Sequence, residues 1–297
     1  MADTLVVGPG WLGAPVAETL ARSGHRVWVL SRSGSGAPVG STAVAGDITQ
    51  AVTPEGRAAM LAHLPGTIRH LVVCVAPSSA RGDSYAIYPA AARGAAALAE
   101  ALGASSVVYV SSTGIYDRQD GSAVSEHSLI TPGNDRVHAL FEAELLILAA
   151  ATERRAVHVL RAAGLYGPGR DPGARFAAGA TPPHIWCNFS WRDDVVSAIT
   201  HCLALPPSGK GELFNCTDNT PVQAGDITHA LTGRRPQSSG TETTTTSVNT
   251  APVRAGRSNQ RISSAALIAA GWHPEVPDVF EGLRRLGHAL PGREGVA

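Results

Sequence analysis

The chain has 297 residues, and its 24 lysines plus arginines balance its 24 aspartates plus glutamates. That length holds one large domain with a smaller appended lobe, and the balanced charge excludes a global field that would draw the protein to nucleic acid or an anionic membrane. Arginine carries nearly all of the positive charge, Lys210 being the sole lysine. There is no 18-residue apolar run and no charged-then-apolar leader, so a soluble cytoplasmic protein is expected. Cys74, Cys187, Cys202 and Cys216 show no C-x-x-C spacing and read as reduced, structural thiols; no metal is expected.

The first apolar run, Leu5-Val6-Val7, ends in Gly8-Pro9-Gly10-Trp11-Leu12-Gly13, and a helical pattern over 14–22 follows at once. In that strand–turn–helix setting each glycine has a task. Gly8 makes the turn, Gly10 lets the backbone approach a pyrophosphate, and Gly13 lets helix and strand touch. The helix start then offers unpaired N–H groups and a positive dipole end to phosphates. A second buried strand over 26–30 ends in Ser31-Arg32-Ser33. A site for NAD usually carries an acid here for the ribose 2′-hydroxyl, yet no acid lies between Glu18 and Asp47. Arg32 suits a bidentate contact with a 2′-phosphate, with Ser31 and Ser33 as added donors, so NADP(H) is expected over NAD(H).

A Gly/Ser/Pro loop over 33–40 leads to a short strand over 42–46. Asp47 and Ile48 at its carboxyl end suit an adenine, through its amino group and ring, although Asp47 serves equally as a helix cap. A helix over 54–63 is followed by a strand over 70–76, whose end at Ala76 passes under the cofactor. An alanine-rich helix over 87–102 comes next, then a strand over 106–110 running into Ser111-Ser112-Thr113-Gly114-Ile115-Tyr116. Residues 135–151 form a helix with apolar positions at Val137, Leu140, Phe141, Leu145 and Leu148, and a strand over 156–161 ends before Gly167-Pro168-Gly169-Arg170. This alternation predicts an α/β Rossmann-type, doubly wound parallel sheet over 1–170. Beyond it, 171–297 reads as a smaller substrate-binding lobe that is not an independent domain. It includes a strand over 212–215, several short helices and a threonine-rich, mobile loop over 238–250.

These landmarks together resemble the extended short-chain dehydrogenase/reductase superfamily, also called the NAD-dependent epimerase/dehydratase family. The pieces that carry the resemblance are Gly8 to Gly13, Gly46-Asp47, Ser111 to Tyr116, Arg161 through Gly167-Pro168-Gly169, and Asn188 with Asp193-Asp194-Val195. The resemblance implies that Gly8, Gly10, Trp11, Leu12 and Gly13 cradle the pyrophosphate and that Ser31 and Arg32 select NADP. It also sets Asp47 and Ile48 at the adenine, Ala76 and Ser111 beside the cofactor, and Ser112 at the family's catalytic Ser/Thr. Relatives often pair through the helices here spanning 87–102 and 135–151, which implies a homodimer.

One departure stands out. The family uses Tyr-x-x-x-Lys on the helix after the fifth strand; matching Glu144 to its helix glutamate puts Arg136 at the tyrosine and Leu140 at the lysine. Arginine does not give up a proton near neutral pH, although it can stabilise an oxyanion. The catalytic candidates are therefore Ser112, Tyr116 and Arg136, with Thr113, His138 and Arg170 as substrate-binding groups and His127 as a further acid or base. Arg161 and Asp194 read as structural pairs or caps. Three functions fit: an NADP(H)-dependent reductase of a small carbonyl or imine, a nonredox epimerase, dehydratase or cyclase, and a noncatalytic NADP(H)-binding sensor or regulator.

Overall fold

A computed structural model describes residues 2–78, 84–235 and 258–290, so the threonine-rich segment over 238–250 lies outside the described residues. The chain opens with β1 (Asp3–Val7), α1 (Gly13–Arg22), β2 (Arg26–Ser31) and β3 (Ser41–Ala45). A 3-10 turn (Ile48–Val52) leads into α2 (Pro54–Leu61), β4 (His70–Val73), α3 (Ile87–Ala101) and β5 (Ser106–Ser112). After β6 (Ala123–Val124) come α4 (Asp135–Leu148), β7 (Ala156–Ala162), β8 (Gly164–Tyr166) and α5 (Gly173–Ala177). The rest comprises β9 (Trp186–Cys187), β10 (Phe189–Trp191), α6 (Arg192–Ala204), β11 (Glu212–Cys216), β12 (Val222–Gln223), α7 (Ala224–Thr232), β13 (Arg261–Ile262), α8 (Ala265–Ala269) and α9 (Val279–Arg285).

The central sheet has seven parallel strands in the order β11-β7-β5-β4-β1-β2-β3. The winding reverses between β1 and β4, so the loops leaving their carboxyl ends diverge and open a crevice. Period-two alternation sorts the strand residues onto two covered faces. Leu5, Val7, Leu71, Val107 and Tyr109 pack beneath α3 and α4. Val6, Val72, Val108 and Leu160 pack beneath α1 and α6. Among the described residues no helix is long and apolar enough to cross a membrane.

The structure redraws the expected division at residue 170. The segment over 212–215 belongs to the main sheet, where β11 pairs in parallel with β7, and α6 covers that sheet beside α1. Only five residues long and half-polar, β11 lacks the long apolar run of the earlier strands, so its sequence gives no sign of a sheet position. What remains of the lobe is built on a smaller cluster in which Tyr166 meets Phe189 and Trp191 edge-on, with Phe176, Ile227, Val279 and Leu283 around them. β6 and β13 pair in parallel as a short strap, and Gln260 beside β13 donates to the Thr113 carbonyl just past β5.

Just after β11, Asp218 is 6% exposed; its Oδ1 accepts the Thr220 N–H at 3.0 Å, while its Oδ2 is buried without a partner among the described residues. Burial, reinforced by the nearby Asp278 and Asp194 carboxylates, pushes its carboxyl up to about 8. A group that holds its proton more tightly folded than unfolded loses stability as pH rises between the two values, so Asp218 destabilises the fold progressively from about pH 4 to about pH 8. Asp218→Asn is expected to stabilise the protein by a few kcal/mol near pH 8 and to have little effect near pH 4. Urea unfolding at both pH values checks this; an equal effect at both would contradict it.

Candidate active site

The crevice at the carboxyl edge of β1 and β4 is shaped by three glycines. Gly8 has φ +88°, and a Cβ there would lie 2.8 Å from the Cys74 carbonyl oxygen. A Cβ on Gly13 would lie 2.1 Å from the Gly8 carbonyl oxygen, so α1 can start only this close to the turn without a side chain. Gly10 is the opposite case: nothing lies within 4 Å of where its Cβ would be, and the residue is exposed. The open volume over Gly10 is where a ligand can meet bare backbone. Leu12 occupies the cap position of α1 without a side-chain cap, and no acid sits in the first turn, so the helix start is left to an anion. The residues present therefore fit the pyrophosphate of a dinucleotide.

At the end of β2 the Ser31 hydroxyl donates to the Ser35 carbonyl at 2.8 Å and accepts the Ser35 N–H at 3.1 Å. Ser31 thus closes the 31–35 turn instead of serving as a donor to the ligand, and Arg32 is left exposed on that turn. Asp47 caps the following 3-10 turn, its Oδ1 accepting both the N–H and the hydroxyl of Thr49 at 3.0 and 2.8 Å. Ile48, expected at the adenine, has its side chain in the core. It is 5% exposed and packed into the core against Gly94 of α3. Ala76 lies exposed beyond the shortened end of β4.

Ser112 ends β5 with its Oγ accepting two hydrogen bonds, from the Gly114 N–H at 3.2 Å and from Arg136 Nη2 at 3.3 Å. A hydroxyl has two acceptor positions and one proton, so Ser112 is left to donate that proton to an incoming oxygen. Arg136, half-buried in the first turn of α4, lies over Gly114, where a Cβ would meet its guanidinium at 2.9 Å. Its charge also acts on the phenol of Tyr88 in the first turn of α3, opposing the rise that burial gives that phenol. The sequence reading missed Tyr88, which sits in an otherwise alanine-rich helix; only the fold brings its phenol under the influence of Arg136.

Several expected site residues are turned elsewhere. Tyr116 is 3% exposed, and its hydroxyl is fully used, donating to Asn215 Oδ1 at 2.8 Å and accepting from Arg161 Nη1 at 2.8 Å. Burial pushes its phenol up, with the Arg161 charge pulling it partly back. It is a core polar residue, not the acid. Ser111 gives its hydroxyl to Glu144 at 2.6 Å in the interior, away from the cofactor crevice. Thr113 is buried, its hydroxyl directed at the Ala162 carbonyl 3.5 Å away and its carbonyl accepting from Gln260 at 3.0 Å. His138 is exposed two residues past Arg136, about 200° around α4 and so away from Ser112. Arg170 lies at the cleft mouth, but its guanidinium stacks 4.4 Å from the centre of the Trp11 ring, and Trp11 Nε1 donates to the Pro168 carbonyl at 2.9 Å. The indole therefore fastens the 167–170 turn onto the glycine loop.

Beneath Ser112 lies a buried polar hub. Arg161, 1% exposed on β7, gives Glu144 of α4 a forked pair of hydrogen bonds, Nη2 to Oε2 at 2.6 Å and Nε to Oε1 at 3.0 Å. Burial works against the arginine's charge, but Glu144 and Tyr116 hold its pKa above the usual value. Through Ser111, Tyr116 and Asn215 the hub joins β5, the turn after it, β7, α4 and β11.

Comparison with known proteins agrees with this geometry. Residues 4–189 match the NAD dependent epimerase/dehydratase family. The chain belongs to this family. Protein YeeZ of Escherichia coli K12 is 30% identical over 215 residues, which cover 70% of this chain and 76% of that protein. A structure from Methylobacillus flagellatus, assigned as an NAD-dependent epimerase/dehydratase, is 28% identical with a TM-score of 0.70, covering 96% of this chain and 97% of the other. The UDP-glucose 4-epimerase of Thermus thermophilus, in complex with NAD, shares the fold at 20% identity and a TM-score of 0.73, over 95% of this chain and 96% of the other. The glycine loop, Ser112 and Arg136 thus lie within an epimerase/dehydratase fold, of which the Thermus thermophilus structure holds NAD.

Removing Glu144 would leave the Arg161 charge buried without its carboxylate, so Glu144→Leu is expected to cost about 3–5 kcal/mol. Adding Arg161→Leu should return most of that loss, because the uncompensated charge goes with it. Urea unfolding of the single and double variants decides it: a double variant no more stable than Glu144→Leu would show that the charge is not the source.

Proposed function

We propose that this epimerase/dehydratase family member is an NADP(H)-dependent oxidoreductase that reduces a small carbonyl or imine compound. The observation that carries the cofactor choice is the turn after β2, where Ser31 locks the backbone and exposes Arg32 in place of an acid. A guanidinium there matches a 2′-phosphate, whereas an acid would repel it. The dinucleotide, when bound, supplies or accepts hydride at its nicotinamide ring. Gly8, Gly10 and Gly13 with the start of α1 hold its pyrophosphate, and Asp47 faces the adenine end. At the reacting end, Ser112 donates a hydrogen bond to the substrate oxygen, and Arg136 places a fixed positive charge beside it, which favours negative charge developing on that oxygen.

Ordinary epimerisation on this fold favours a different outcome, since it leaves the dinucleotide unchanged overall; the epimerase relatives are the reason to test for it. The purified protein should release oxidised cofactor and consume NADPH, read at 340 nm, with a panel of aldehydes, ketones and cyclic imines. Tightly retained NAD with no net consumption would instead favour internal redox chemistry. Arg32→Ala should weaken NADPH binding about tenfold or more, the worth of one charge-assisted contact, and leave NADH binding nearly unchanged. Nucleotide fluorescence titrations measure both; equal losses would overturn the NADP assignment.

A further inference from the structure

Reduction of a carbonyl needs a proton at the substrate oxygen as well as a hydride at carbon, and the first turns of α4 carry no tyrosine or lysine. The chain has five tyrosines. Tyr116 has both hydroxyl bonds committed inside the hub. Tyr109 is fully buried and donates to the Tyr88 carbonyl at 3.2 Å, while Tyr166 points its hydroxyl at the Asp278 carbonyl within the lobe core. Tyr85 is 44% exposed ahead of α3. Tyr88 differs from all four. It stands at the amino end of α3, which follows β4 and therefore starts on the carboxyl side of the sheet. Tyr109 ties its backbone to the middle of β5, the Arg136 charge acts on its phenol, and the Arg136 guanidinium donates to Ser112 Oγ at 3.3 Å. Tyr88 is 9% exposed.

We infer that Tyr88 is the catalytic acid–base of this site, with Arg136 stabilising its phenolate and Ser112 holding the substrate oxygen. This rests on the reductase reading above. In reduction the Tyr88 O–H bond breaks and a new O–H bond forms at the substrate oxygen. A bound reduced dinucleotide would supply the hydride that the carbonyl carbon gains, and the phenolate then takes a proton from water. One carbonyl, one hydride and one solvent proton give one alcohol. Arg136 thus performs the electrostatic task that a lysine next to a tyrosine would perform, but on a tyrosine delivered by another helix. Burial pushes the Tyr88 phenol up, and the Arg136 charge opposes that rise, so the phenol is protonated before transfer and its anion is compensated after it.

The test reads the phenol directly. Protein labelled with 3-fluorotyrosine, whose phenol is more acidic than that of tyrosine, gives five fluorine NMR signals, and Tyr88→Phe identifies one of them. Its titration midpoint should rise by about one pH unit or more in Arg136→Leu, the effect of losing an adjacent opposite charge, and return towards the wild-type value in Arg136→Lys. Saturation with NADP⁺, whose oxidised ring is cationic, should lower the midpoint, and NADPH should lower it less. A midpoint indifferent to Arg136→Leu overturns the proposal, as does one indifferent to NADP⁺ while other signals report binding. If no signal responds to either nucleotide, the functional reading itself falls, and the Tyr88 role falls with it.

Discussion

The buried pair between Arg161 and Glu144 is the interaction on which the cleft depends. An exposed ion pair such as Arg22 with Glu18, one helical turn apart, is worth between nothing and about 1 kcal/mol. Arg161 and Glu144 sit in a different regime. With side chains 2% and 3% exposed they have given up water on both sides, and only a full set of hydrogen bonds makes that tolerable. Glu144 takes Arg161 and Ser111, and Arg161 takes Glu144 and Tyr116. What this fixes is position. Ser111 precedes Ser112 by one residue and Tyr116 follows it by four, so the turn bearing Ser112 is held from both ends by one cluster.

The same helix carries that constraint outward to the cleft. Residues 136, 140 and 144 of α4 lie one turn apart along a single stripe, with Arg136 beside Ser112, Leu140 at 0% exposure, and Glu144 on the buried arginine. A lysine at 140 would have to place its ammonium in the apolar layer where Leu140 packs with Val137, Ala139 and Ala143. Burying an unpaired cation costs more than that layer can return. The cation of this stripe is instead Arg136, one turn nearer the end of β5, where its guanidinium donates to Ser112 Oγ at 3.3 Å.

Much of this was legible in the sequence because much of it is backbone. Gly8, Gly10 and Gly13 act through the side chains they lack, and the short apolar strands and their order follow from hydrophobic runs and turn residues. The polar hub was not legible in the same way. Tyr116 stood in the right motif for a catalytic role, and only the fold shows that Asn215, 99 positions away, and Arg161 consume its hydroxyl. Ser111 and Thr113 misled for the same reason: a strand end has two faces, and the residues flanking Ser112 turn inward. Leu145 was expected in the buried stripe of α4, yet it is 54% exposed while Glu144 is buried, because a charged residue can enter a core when its partner is there. The place of β11 in the sheet was hidden for a further reason, since five half-polar residues carry no periodic signal.

Trp11 links the two halves of the site. As part of the glycine loop it belongs to the dinucleotide cradle, but its indole N–H is spent on Pro168 and its ring lies within 4.4 Å of the Arg170 guanidinium and 5.4 Å of that of Arg192. Gly167 and Gly169 both approach the indole closely, Cβ atoms there falling 3.7 Å from it. The glycine loop and the turn that follows β8 are therefore one packed unit. One side chain thus ties the glycine loop to the turn that carries Arg170.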